Sequence, residues 1–194
     1  MAIISNAVTI ADAGAFSVNL GSMVLIKTIT ASSDSTISFV DGASSVVFDN
    51  TYPIYLFKFI NIHGATDDKK FEFQANAAGG SGYNETITTT NFQSYHREDD
   101  GANGLGYNSG YDNQQTTDHQ EISGPLSNDN DASFSGELYI FNPSDTTFVT
   151  HFMATGHGME AGTSKVSTQL HTAGYFNTTS AVDEFQFKFN SGNI

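Results

Sequence analysis

MVLIKTITASSDSTISFVDGASSVVFDNTYPIYLFKFINIH, residues 23–63, decides the fold class. Runs rich in β-branched and aromatic residues are separated by clusters of Ser, Asp, Gly, Asn and Pro, which is strand chemistry broken by turn chemistry. Over Met23–Thr30 the apolar residues alternate, with Val24, Ile26 and Thr28 on one face and Met23, Leu25, Lys27 and Ile29 on the other. Ser32–Asp34 makes a turn, Thr36–Val40 a second strand, and Asp41-Gly42 a tight-turn signal. Val46–Phe48 reads as a short strand closed by Asp49-Asn50. Tyr55–His63 is apolar on both faces, as a central strand should be: Tyr55, Phe57 and Phe59 fall on one side, Leu56, Ile60 and Ile62 on the other.

The same rhythm continues outward. Phe71–Gln74 alternates, Ala77–Gly82 is a small-residue turn, and Tyr83–Tyr95 is another strand. From His96 to Ser133 the chain turns rich in Gly, Asn and Asp and poor in aliphatics. Such a length is expected to be a long insertion loop, with Asp118–Ile122 as a short strand inside it, and loops of this size are usually either functional or disordered. Strands return at Gly136–Phe141, Thr146–Ala154, Val166–Ala173 and Glu184–Phe189, where Phe185, Phe187 and Phe189 point one way and Gln186 and Lys188 the other. No segment shows helical apolar spacing over three turns, and no internal repeat of fixed period is present. Roughly ten strands with frequent turns predict an all-β protein, a single antiparallel β-sandwich that is jelly-roll-like. Its core should be built from Phe, of which there are 16, with no Trp. Residues 1–22, with apolar spots at Ala7, Val8 and Ile10, form an N-terminal arm or an edge strand; residues 23–194 form the sandwich domain.

Composition bounds the function. With 7 Lys+Arg against 21 Asp+Glu the net charge is −14, which repels nucleic-acid backbones and anionic lipid. No apolar run approaches the ~20 residues of a membrane span, and the start of the chain has no secretory-signal pattern. There is no Cys, hence no disulfide, thiolate metal site or cysteine nucleophile. Only 14% of residues are charged, so the surface is largely Ser, Thr, Asn, Gln and Gly.

Four stretches resemble a structural-protein family of tailed phages that infect marine bacteria, cyanophages and pelagiphages among them: VLIKTITASSDSTISFVDG, VVFDNTYPIYLFKFINIH, ELYIFNP and AGYFNTTSAVDEFQFKFNSGNI. The resemblance covers most of the chain from Met23 onward. It implies a virion component on the particle exterior, as a head decoration or a tail or fibre part, in contact with other virion proteins and with copies of itself. A trimer is the expected state, since sandwich appendages commonly pack around a threefold. The sequences it resembles continue with a further short strand beyond Ile194.

Candidate sites are few. The histidines, His63, His96, His119, His151, His157 and His171, form no spaced metal motif. His151 and His157 flank Gly156 and could meet across a turn, while His119 and Glu121 would share a strand face. Asp129, Asn130 and Asp131 resemble part of a calcium loop without its Gly and distal Glu, so Asp129 and Asp131 are weak calcium candidates and no other cofactor is indicated. There is no nucleophile elbow, no phosphate loop and no distinguished carboxylate pair, and no enzymatic role is expected. Tyr95, Tyr107 and Tyr111 stand among Gly, Asn, Asp and Gln in the long loop, the composition of adaptable recognition surfaces. They are candidates for a contact with a neighbouring subunit or, in the alternative reading, for a carbohydrate-binding host-adhesion module that uses the 96–133 loop. The Asn84 and Asn177 sequons are taken as chance.

Overall fold

A computed structural model describes residues 23–194 and, before them, only the backbone of Ile3–Ser5 (β1), Val8–Asp12 (β2) and Ala15–Phe16 (β3), paired antiparallel as a small sheet of their own. The expectation of an arm or edge strand over 1–22 otherwise lies outside the described residues. The body is a sandwich of two antiparallel sheets. The smaller has the order β10–β6–β14–β4, from Gln120–Glu121 (β10), Phe71–Ala77 (β6), Val182–Phe189 (β14) and Ile37–Val40 (β4). The larger has the order β5–β11–β12–β13–β7–β8. Its strands are Ile54–Ile62 (β5), Phe134–Phe141 (β11), Thr150–Glu160 (β12), Val166–Phe176 (β13), Ile87–Arg97 (β7) and Asn103–Tyr107 (β8). Gln114–Thr116 (β9) pairs with the other end of β7. No α-helix occurs among the described residues.

Alternation explains the core. On β14, Phe185, Phe187 and Phe189 are buried while Gln186 and Lys188 turn outward. Phe187 is 2% exposed and lies 5.0 Å from Phe57 and 5.1 Å from Phe59, ring centre to ring centre, across the interior. The layer is nearly all phenyl rings, in edge-to-face and tilted pairs suited to their quadrupoles. Phe134 packs against bare backbone, because a Cβ on Gly156 would overlap its ring.

Several expectations are corrected. Met23–Thr30 forms no ladder: its alternation is genuine, but among the described residues no strand edge takes its backbone, and Leu25 is left 82% exposed. Val46–Phe48 is not a strand either. Its backbone is satisfied locally, by Val46 N–H to the Ala43 carbonyl (2.9 Å) and Phe48 N–H to the Asp41 carboxylate (2.7 Å), while Val46 and Phe48 plug the core. β5 lies at the margin of its sheet, not in the middle. Its two apolar faces arise because one faces the core and the other borders the unpaired 23–30 segment. A bulge near Asn61, whose φ is 52°, then swings Ile62 back to pack on the core. The stretch 96–133 holds the end of β7, the strands β8, β9 and β10, and the start of no helix; its short strand at Gln120–Glu121 falls inside the expected Asp118–Ile122.

Candidate functional site

β6 is buried along its whole length, including Glu72, Gln74 and Asn76, which point away from the core. The chain from Asn108 to His119 covers Glu72 and Gln74, while Asn76 is held by Glu184 and the Tyr83 N–H. Two fully buried glutamines hold that cover. Gln74 Nε2 donates toward the carbonyls of Glu85, Thr117 and Asp118 at 3.0–3.2 Å. Gln120 Nε2 donates to the Tyr111 carbonyl (2.8 Å), and its Oε1 accepts from Thr89 Oγ1 (2.7 Å) and Asn113 Nδ2 (3.1 Å). Thr89 Oγ1 also accepts the Asn113 N–H at 2.8 Å. Asn108 Nδ2 reaches Gln93 Oε1 at 2.5 Å. Each buried amide is satisfied by several partners, which makes the cover rigid.

Between this cover and the small sheet lies a polar cleft of about 530 Å³. Tyr111 and Tyr83 stand on its wall, with His119, Asn113, the carboxylates Glu72, Asp112, Asp118 and Glu121, and Lys188. Register brings the charges together: Glu72 is opposite Lys188 on β14 and opposite Glu121 on β10. Lys188 pairs with Glu72 at 3.3 Å, and Lys70 pairs with Glu121 at 2.7 Å while its ammonium sits 4.4 Å above the Tyr111 ring. Burial raises the Glu72 carboxyl above its usual range, with Lys188 pulling the other way. Burial, then the charges of Glu160, Glu121 and Asp68, raise the Tyr111 phenol. Burial first, then Lys188, lowers His119 to about 4, so the imidazole is neutral; its Nε2 is buried with no partner.

The three tyrosines read from the sequence are not brought together. Tyr111 lines the cleft. Tyr107 is 60% exposed on the outer face of the large sheet, cross-strand from Phe92, with its hydroxyl bonded to the Asp112 carboxylate. Tyr95 lies over Gly104, where a Cβ would come within 2.8 Å of its ring. Asp129 is held by Lys165 at 2.6 Å, a contact that lowers its carboxyl, and Asp131 is exposed. Among the described residues no group of three or more His, Asp or Glu is arranged to hold a metal ion. His151 and His157 lie on one strand, β12, with no turn between them. His119 and Glu121 do share a site, the cleft. Glu72 and Lys188 were missed by sequence reading; the available signal was a single charge flanked by phenylalanines in Phe71-Glu72-Phe73 and Phe187-Lys188-Phe189.

A second feature sits at the opposite margin, where both sheets end, one at β4 and the other at β5. Residues 23–29 border an apolar groove of about 580 Å³ there, together with Phe39, Leu56, Ile60 and Ile62. Ile60 is 74% exposed. The single cation on the strand, Lys58, is tied to Glu137 at 3.4 Å. Searches with this chain against protein-family models, curated proteins and solved structures find no match.

Proposed function

We propose that this chain is a non-enzymatic structural protein of a marine tailed-phage virion. It would sit on the particle exterior, as a head decoration or as part of the tail or fibre, and assemble with its own copies and other virion proteins. The family resemblance supplies the class of protein. The observation that carries the assembly mode is at the β4–β5 margin, where a segment with strand chemistry but no ladder (Met23–Thr30) lies beside a strand edge that has no partner among the described residues. Open apolar edges recruit another chain unless they are blunted, and the blunting here is confined to Lys58, already tied to Glu137, and to the bulge near Asn61. A neighbouring copy answers both lacks when each copy passes its 23–30 segment one way, onto the β5 edge and groove of the next copy around a ring. Like charge opposes such contact, but the Debye length shrinks to a few ångström in strong salt, so apolar burial prevails in seawater. A trimer is the expected closed state.

We further infer that the sandwich is jelly-roll-like. Successive strands change sheet at β4–β5, β5–β6, β6–β7, β9–β10, β10–β11 and β13–β14. That winding supports a jelly-roll-like roll in which the β11–β12–β13 meander widens one sheet.

The test is mass spectrometry of purified virions with antibody-gold labelling, joined to light scattering of the isolated protein. Label over the head supports a decoration protein, and label at one end of the tail supports a fibre component. Absence from particles overturns the virion reading. A monomer at high concentration and high salt, or an oligomer unaffected by Leu25→Glu and Ile60→Glu, overturns the edge contact.

A further inference from the structure

We propose that the cleft between the small sheet and the Asn108–His119 cover is a binding site for an uncharged, hydroxyl-rich saccharide. Its volume, about 530 Å³, falls within the ~300–1,000 Å³ of ordinary small-ligand sites. The walls differ from those sites in being polar, and that difference selects the ligand. Four carboxylates face it against one lysine, and Lys188 is already engaged by Glu72. A phosphate, sulfate or uronate would meet net repulsion and find no free cation. Sugar hydroxyls offer what the wall lacks, because each is a donor to a carboxylate oxygen and an acceptor for an amide or imidazole N–H.

Two further observations point the same way. Gln186 lies within hydrogen-bonding reach of the His119 ring, yet His119 Nε2 is itself buried with no partner, so one nitrogen of the cleft wall is unspent. A buried polar atom left unpaired costs free energy that a ligand hydroxyl, reaching it after a small side-chain shift, recovers. Tyr111 and Tyr83 add aromatic surface, on which the C–H face of a pyranose packs. The Gln74 and Gln120 anchors fix the wall before any ligand arrives, so little ordering entropy is charged to binding. The site belongs to one folded chain and stands whether or not the chain is a virion component.

The experiment is ligand-observed NMR, then calorimetry, on the intact protein with trisaccharides of neutral glucan, mannan, galactan and chitin, and with an oligouronate as the anionic probe. At least one neutral probe should saturate the protein, and the oligouronate should not. Tyr111→Ala and His119→Gln, each verified as folded by its melting curve, should each weaken binding by about tenfold, the scale of one lost contact. If Tyr111→Ala does not fold, His119→Gln decides. No saturation by any neutral probe overturns the proposal. So does preference for the oligouronate, or binding that the folded variants leave intact.

Discussion

Phe187→Ala is the most searching test of the core. The ring is 2% exposed and sits where the sheets meet, near Phe71 and Phe73 on the neighbouring β6 and near Phe57 and Phe59 on the facing β5. Truncating a buried Phe costs about 3–5 kcal/mol as transfer free energy plus cavity. The upper half of that range applies here, because four of the neighbours are strand side chains whose backbones are held by ladders on β5 and β6, so the cavity cannot close. At about 2–4 °C per kcal/mol for a domain of this size, the melting temperature should fall by about 10–15 °C. With a urea m-value of about 2–3 kcal/mol/M, the midpoint should drop by about 1.5–2 M. Phe92→Ala is the control: that ring is 47% exposed and stacks on His171 at 4.6 Å, so its loss should cost about 1 kcal/mol or less. A Phe187→Ala loss below about 2 kcal/mol, or equal to that of Phe92→Ala, would refute the packing described.

Gly156→Ala should destabilise by about 1–3 kcal/mol, since its Cβ would overlap the Phe134 ring; a neutral result in urea denaturation would mean that Phe134 has another place to go. His119 is held at about 4 in the fold against 6.5 when free, so the fold favours neutral imidazole. That contribution is full above pH 6.5 and is lost as pH falls toward 4. Discounted for partial exposure, it amounts to about 1–2 kcal/mol. Glu72 and Glu160 are raised by burial and act with the opposite sign, losing stability as pH rises above 4.5, but they are common to wild type and His119→Gln and cancel in the comparison. Melting curves of the two proteins should therefore diverge from pH 6.5 to 4, and parallel curves would contradict the burial of His119. Chelation by EDTA should leave the melting temperature unchanged, because Lys165 already neutralises Asp129; a drop reversed by calcium would place a cation at Asp129 and Asp131.

Fold class and most strands could be read locally, because a period of two is written in neighbouring residues. Phe185, Phe187 and Phe189 announced both the strand and its buried face, and Tyr55, Phe57 and Phe59 did the same for β5. Three things could not be read that way. Both faces of β5 are apolar, the pattern of a central strand, yet its place in the sheet depends on which distant strands pair with it. Met23–Thr30 has the right alternation, but a strand exists only where another backbone accepts its hydrogen bonds. The cleft depends on register, which sets Glu72 beside both Lys188 and Glu121 although they lie far apart in the chain. Of the site residues, Tyr111 was visible as an aromatic in polar company, while Glu72 and Lys188 looked like solvated outward charges until the Asn108–His119 cover closed over them. Composition and alternation thus decide that this chain folds as a Phe-filled sandwich with an acidic polar surface, since those signals depend on each residue's own solvation and its near neighbours. Which edge stays open, and which charges share a cleft, depends on pairing between remote strands, and only the tertiary structure contains that information.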